Sequence, residues 1–127
     1  MTIALVYDFP AFDTGLFEGV AFSMADGDAE LLVSIAEQDH VVLCFKRVRW
    51  HQFTALYNCT PEQVSSAYFK LVELKNSRSV AKYVAEDRAS VRAYKELRHF
   101  RVFLDEHGCH ELFAESASGI PRPGAGA

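Results

Sequence analysis

The sequence lacks every motif that would point directly to a catalytic or cofactor site. It contains no GxGxxG, no phosphate-binding loop and no HExxH, and its three cysteines form neither a CxxC pair nor an even set. It also lacks a run of about eighteen apolar residues, the length of a membrane helix, and a basic segment leading into a secretory core. We therefore expect no cofactor, no membrane partner, reduced thiols and a cytoplasmic location.

An excess of basic charge is missing as well. The 127 residues carry 13 basic and 17 acidic side chains, for a formal net charge of −4. Lys46, Arg47 and Arg49 form the only tight basic group, and on a strand they divide between both faces. This composition argues against nucleic acid as a partner. Because half of the residues are hydrophobic, we expect a single domain over residues 1–118 and a flexible Pro/Gly-rich tail over 119–127.

Hydrophobic alternation predicts several β-strands in the first third of the chain. Residues 3–7 are short and apolar and indicate a first strand. Residues 16–24 and 29–35 alternate around an Asp-Gly turn, the strongest short-range signal for a hairpin. Pairing Ala25 with Asp28 segregates apolar and polar side chains onto opposite faces, which supports this register.

A second hairpin is predicted around the turn Asp-Glu-His-Gly at residues 105–108. With a three-residue loop after Asp105, Val102 would lie opposite Leu112 on an almost wholly apolar face. The other face would be mixed, with Arg101 opposite Phe113. A two-residue loop would bury carboxylates against apolar side chains, so the three-residue loop is favoured.

The central segment predicts helices inserted between the two hairpins. Thr60 begins a Thr-Pro-Glu-Gln capping box, and we expect its helix to run to about Lys75. Ser77 can cap a second helix that ends near Asp87. A longer second helix that reaches Leu97 is an alternative.

Residues 41–50 predict a further strand, and residues 50–57 fit either a strand or a helical turn. We therefore expect an α+β fold, in which an antiparallel, meander-like sheet of about six strands carries one or two helices packed on one face. Its hydrophobic centre would consist of Phe22, Leu31, Phe45, Leu71, Phe100 and Leu112.

Four aromatic residues are candidates for contact with a partner. Phe9 and Phe12 lie in a loop, where large rings either close the open end of the core or anchor a bound protein. Phe103 and Phe113 belong to the mixed face of the second hairpin. A protein partner or a second copy of the chain would fit such a surface.

His107, Cys109 and His110 form the densest group of metal-ligand residue types in the sequence. The hairpin pattern points them in different directions, so we expect no metal site. A nucleophilic site would need a cysteine or serine, a histidine and an acid. Cys59 with His51 is one such pairing by residue type, as is Cys44 with His40, but neither lies on a strand-turn-helix elbow.

Glu111 and Glu115 share one face of the last predicted strand, and we expect them to pair with Arg101 and His99. No catalytic residue is predicted from these patterns. A small enzyme or ligand-binding domain remains an alternative, with His, Cys and Glu side chains lining a pocket between sheet and helix. A deep concave pocket in which His51, Cys59 or His99 meets a carboxylate within hydrogen-bonding reach would favour it.

Two segments carry a resemblance to a known group of proteins. Residues 67–83, AYFKLVELKNSRSVAKY, and residues 97–116, LRHFRVFLDEHGCHELFAES, resemble a loose group of small bacterial domains. Some members are classed as immunity proteins of toxin systems. The resemblance implies a helix with a Leu-Val-Glu core and a serine-capped turn. Together with the missing catalytic motifs, the acidic net charge and the aromatic residues in loops, it leads us to expect a non-enzymatic interaction domain of the immunity type. A structural homodimer formed through an exposed sheet edge is a further alternative.

Overall fold

In the computed structural model, residues 2–86 and 96–124 are described, and they form two antiparallel sheets and two α-helices. The five-stranded sheet has the order β1-β6-β7-β8-β5, and the four-stranded sheet has the order β2-β3-β4-β9. The elements are β1 (Thr2–Asp8), β2 (Phe17–Ala25), β3 (Asp28–Ile35), β4 (His40–Lys46), β5 (Trp50–Ala55), α1 (Pro61–Ala67), β6 (Lys70–Lys75), α2 (Arg78–Glu86), β7 (Arg98–Leu104), β8 (Gly108–Ala114) and β9 (Ser116–Arg122).

The two sheets pack face to face and enclose the main core. Side chains from β3, β4, β7 and β8 meet there, and both helices cover the outer face of the five-stranded sheet. The expected α+β class with antiparallel strands is confirmed. The expectation of one sheet with about six strands is only approximate, because the strands divide between two sheets. The six residues expected at the hydrophobic centre all contribute to this core, Phe22 from a partly buried position.

The first hairpin has the register expected from its turn. Ala25 pairs with Asp28 and Phe22 pairs with Leu31. Asp26 and Gly27, the turn residues, both adopt positive φ angles, as a tight hairpin turn requires.

The predicted strand over residues 41–50 is divided at Arg47. Arg47 has a φ of 52°, and its amide donates to the Asp28 carboxylate at 3.0 Å. The chain leaves the four-stranded sheet at this point and enters the five-stranded sheet at Trp50. Residues 50–55 are therefore a strand, and a short 3₁₀ turn follows over Leu56–Asn58.

The first helix is shorter than expected. The Thr60 capping box is present, but α1 ends at Ala67, and Phe69 adopts a φ of 48°. The Leu-Val-Glu segment is part of β6, which pairs with β1 and β7; the expectation of a helix up to Lys75 is wrong. A strand buried on both faces resembles a helix in its apolar content, which explains the error.

The second helix begins where the sequence predicts. The Ser77 hydroxyl accepts a hydrogen bond from the Val80 amide at 3.2 Å, and α2 reaches Glu86. The expected end near Asp87, and most of the longer alternative, lie outside the described residues. Neither helix in the described ranges is long and apolar enough to span a membrane.

The second hairpin has the expected faces but a different register. Val102 pairs with His110, and Arg101 pairs with Glu111, two residues from the expected partners. The reason lies in the turn, where Glu106 adopts a φ of 63° and Gly108 a φ of 145°. Gly108 therefore belongs to β8 and not to the loop.

Residues 119–122 are not a flexible tail. They belong to β9, which pairs with β4 from Ser116 to Arg122. Gly119 lies opposite Leu43, and a Cβ atom there would collide with the Tyr7 ring. Close approach of a backbone to an aromatic ring explains why glycine occupies a strand position that would otherwise disfavour it.

Candidate functional site

A polar cleft of about 500 Å³ lies on the outer face of the five-stranded sheet, beside the two helices. Hydrogen-bonding and charged side chains dominate its wall, in contrast with the apolar core on the other face of the sheet. Its lining includes Gln52, Thr54, Gln63, Ser77, His99, Arg101 and Glu111.

Glu111 of β8 is the centre of the cleft floor. Its Oε1 atom accepts hydrogen bonds from His99 Nε2 at 2.7 Å and from Arg101 Nη2 at 3.2 Å. All three side chains are buried, each with less than a tenth of its surface exposed. The expectation that Glu111 pairs with Arg101 and His99 is confirmed. Glu115 instead lies 3.6 Å from Arg47 Nε.

Helix α1 contributes a further donor through its capping box. Gln63 Oε1 accepts from the Thr60 amide at 2.8 Å, while Gln63 Nε2 donates to Glu111 Oε2 at 2.9 Å. One glutamine thus closes the start of the helix and binds the carboxylate. The capping box fixes where α1 stands above the cleft floor.

Helix α2 contributes Ser77 at its N-terminus. Ser77 Oγ lies 2.7 Å from His99 Nδ1. An ionised carboxylate can only accept, so His99 Nε2 carries the proton that points to Glu111. In the neutral ring Nδ1 is then the acceptor, and the Ser77 hydroxyl donates to it. Ser77, His99 and Glu111 therefore form a continuous chain of hydrogen bonds.

The electrostatics of this group favour an ionised Glu111. Burial alone would raise its pKa, but the hydrogen bonds from His99 and Gln63 and the charge of Arg101 outweigh burial and lower the pKa to about 2. Arg101 Nη1 donates to Ser66 Oγ at 3.0 Å and to Glu62 Oε1 at 3.4 Å. Over residues 2–86 and 96–124, no buried side-chain nitrogen or oxygen lacks a hydrogen-bond partner.

Three histidines form a second polar group on the other side of the sheet. His51 Nε2 lies 2.9 Å from His110 Nδ1, and His107 Nε2 lies 2.8 Å from His110 Nε2. The Phe22 ring stacks on His51 with 4.1 Å between centroids. Burial, together with His107 and His51, lowers the pKa of His110 to about 3.

The metal-ligand candidates do not converge. His107 and His110 contact each other, but Cys109 lies on the opposite face of β8, where burial raises the pKa of its thiol to about 12. In the part of the chain that the structure describes, no three His, Cys, Asp or Glu side chains are placed to hold a metal ion.

The aromatic candidates for partner binding belong mostly to the interior. Phe9, Phe103 and Phe113 are buried, and Phe12 is partly buried with its ring 5.0 Å from that of Phe69. Phe9 and Phe12 therefore close the core, the first of the two roles considered for them. Phe103 and Phe113 lie beneath the helices and present no ring surface to a partner.

The cysteine and histidine residues that the sequence suggested as nucleophile pairs contact other groups in the structure. His51 contacts His110, and His40 Nδ1 accepts from the Ile35 amide at 3.0 Å. The Cys59 thiol lies 3.3 Å from the Thr54 carbonyl.

A second cleft of about 590 Å³ is lined by residues such as Tyr7, Gln38 and His40. None of the buried charged side chains among the described residues lines it. The smaller polar cleft is therefore the stronger candidate, because perturbed buried groups mark functional sites.

Comparison with protein-family models, with curated proteins and with solved structures finds no match to this chain. The candidate site rests on its own geometry. Sequence reasoning missed Ser77 and Gln63 as members of the site, although it identified both as helix caps. The capping residues themselves were the available signal, but only the fold shows that the first turns of both helices lie over the face that carries Arg101 and Glu111.

Replacement of Arg101 should lower the free energy of unfolding. Arg101→Met leaves the Glu111 carboxylate buried without its cation, and we expect a loss of about 3 kcal/mol in the free energy of unfolding. The matched control is Arg122→Met, which breaks a half-exposed pair with Glu30 and should cost at most about 1 kcal/mol. Urea denaturation measures both losses. Equal losses in the two variants would contradict a buried charge network.

Stability should fall on mild acidification. His110 has a folded-state pKa of about 3, whereas an unfolded histidine has one of about 6.5. The unfolded chain therefore binds more protons between these values, and stability declines as the pH drops below about 6.5. From pH 7 to pH 5 the expected loss is about 2 kcal/mol from His110 alone. In His110→Phe the decline should be shallower; an unchanged slope in urea titrations would refute this assignment.

Proposed function

We propose that the protein binds a small polar molecule in the cleft above Glu111. The observation that carries the proposal is the convergence of His99, Arg101 and Glu111 on the floor of a solvent-accessible cleft. Burying an ion pair usually adds little stability compared with apolar side chains of the same size. A fold with an apolar core of its own gains little from such a group, which supports a role in binding.

The wall of the cleft supports a ligand with several hydrogen-bonding groups. Gln52, Thr54, Asn58, Thr60 and Ser79 line it beside the buried floor. Both signs of charge are present in the lining, so no single ionic class of ligand is favoured. A volume of about 500 Å³ lies within the range of about 300–1,000 Å³ typical of small-molecule sites.

The test is a thermal-shift screen of small polar compounds against the wild-type chain. A ligand at about one hundred times its Kd stabilises the folded state by about 2.7 kcal/mol, an increase of several degrees in Tm. In Gln52→Trp, a bulky ring replaces a side chain that lies opposite Glu111 and fills the cleft. We expect this variant to fold and to lose the shift.

The control is Ser118→Trp, which places the same ring on an exposed position of the other sheet. It should keep the full shift. If compounds raise the Tm equally in both tryptophan variants, they bind elsewhere and the proposal fails. A screen in which no polar compound shifts the wild type also counts against it.

A second candidate function is protein interaction through the edge of the five-stranded sheet. Among the described residues, β1 pairs only with β6, and it exposes 59% of Leu5 and 43% of Ile3. Unpaired edges with apolar side chains favour strand addition by another chain. This feature supports the interaction domain expected from the sequence, of which self-association is the simplest form. The immunity-type role and the cytoplasmic location remain predictions from the sequence.

Self-association should depend on Leu5 if it uses this edge. Leu5→Lys puts a charge on the outer strand, a change that natural edge strands use to prevent pairing. We expect light scattering to show a concentration-dependent dimer for the wild type and a monomer for the variant. A wild type that stays monomeric up to millimolar concentration would exclude the homodimer.

A further inference from the structure

The hydrogen-bonded chain in the cleft has the composition of a serine nucleophile site. Ser77 Oγ and His99 Nδ1 are 2.7 Å apart, and His99 Nε2 and Glu111 Oε1 are also 2.7 Å apart. Both distances lie within the hydrogen-bond reach that a nucleophile, its base and the group that orients the base require. The three residues come from α2, β7 and β8, so the arrangement is a product of the tertiary fold.

The position of Ser77 suits attack on a bound molecule. Ser77 is half-buried and lines the same cleft as His99 and Glu111. Its hydroxyl accepts from the Val80 amide, so the cap holds Oγ in one orientation. The first amide groups of a helix lack acceptors within the helix, and the nine residues of α2 begin directly after Ser77. Negative charge that develops beside Ser77 would meet these groups.

We infer that Ser77 is the nucleophile of an acyl-transfer reaction on a small polar ester, with His99 as general base and Glu111 as the residue that positions His99. The inference rests on the proposed ligand-binding function. Glu111 is a positioning residue because its carboxylate contacts His99, Arg101 and Gln63.

The reaction proceeds in two balanced steps. Ser77 Oγ forms a bond to the ester carbonyl carbon while its proton passes to His99 Nδ1. The bond to the alcohol oxygen then breaks, and the alcohol leaves with the proton from His99. Water, activated in turn by His99, attacks the acyl-serine and releases the acid, which restores Ser77 and neutral His99.

The surroundings of Glu111 support this assignment of roles. Arg101 and Gln63 hold the carboxylate from two sides, so its Oε1 atom faces the histidine in a fixed direction. Arg101 in turn donates to Ser66 of α1 at 3.0 Å. Preorganised groups of this kind cost no rearrangement when charge develops on the histidine.

The test uses the whole chain with two probes, a fluorophosphonate and p-nitrophenyl acetate. The fluorophosphonate should bond to Ser77 Oγ with loss of fluoride, and peptide mass spectrometry locates the adduct. Hydrolysis of p-nitrophenyl acetate should fall about 10²–10⁴-fold in His99→Gln, the usual contribution of a general base. Glu111→Gln should lower kcat by a comparable factor and leave KM nearly unchanged, since the oxygens of Glu111 are already engaged by His99, Arg101 and Gln63.

Two serine variants distinguish a catalytic role of Ser77 from its role as a helix cap. Ser77→Asn removes the nucleophile but keeps a good helix cap, so it should fold, show no adduct and lose hydrolysis. Ser118→Ala changes an exposed serine of the other sheet and should retain both activities. An adduct on Ser79, or hydrolysis that survives in Ser77→Asn, would overturn the inference.

These experiments distinguish failure of the acyl-transfer inference from failure of the proposed ligand-binding function. If polar compounds still shift the wild-type Tm through the cleft while neither probe reacts with Ser77, the cleft binds without acyl transfer and the inference fails alone. If both probes react with Ser77 but no thermal shift depends on Gln52, the nucleophile stands without the proposed ligand site, and the proposed function fails.

Discussion

The outer half of this fold depends on the burial of one ionised carboxylate. Glu111 lies beneath two helices, where an unpaired charge would cost several kcal/mol. The cost is offset only because donors from β7 and α1 converge on both of its oxygens, through His99, Arg101 and Gln63. Each donor constrains an element. Arg101 and His99 connect β7 to β8, Gln63 positions α1, and Ser77 connects the start of α2 to the same group through His99. The cleft is the space left between helices held in this way.

Sequence analysis did not predict the register of the second hairpin, in which Arg101 pairs with Glu111. The alternation correctly assigned Val102 and Leu112 to the buried face, because a shift by two residues preserves the face. It could not choose between registers with the same faces. The choice depends on Glu106, a non-glycine residue at positive φ, and on Gly108, where a Cβ atom would collide with the Thr54 carbonyl of β5. The requirement at Gly108 comes from β5, which lies outside the hairpin's own sequence.

The difference between local and long-range contacts also explains which other predictions from the sequence were correct. The first hairpin and both helix caps follow from residues within a few positions of each other, and Asp28, Thr60 and Ser77 all behave as expected. The division of strands between two sheets follows from long-range pairing and was not predictable in this way. Leu71 and Leu74 lie on opposite faces of β6 and are both buried, so the segment showed neither clear alternation nor a helical stripe. For the site, residue types were recognised, but Ser77 and Glu111 are 34 positions apart and only the fold brings them together.

Two of the buried polar groups among the described residues differ in their access to solvent. His51, His107 and His110 pack against the Phe22 and Phe53 rings and contact one another through their ring nitrogens. The group around Glu111 has the opposite character, because His99 and Glu111 are buried yet form the floor of a polar cleft. Ser77 stands at the opening with one hydroxyl that both caps α2 and donates to His99, so the contact that stabilises the helix also orients the oxygen. The side chains around Glu111 are buried and fully hydrogen-bonded, yet they line a cleft that is open to solvent. For this reason we propose that the functional site lies there.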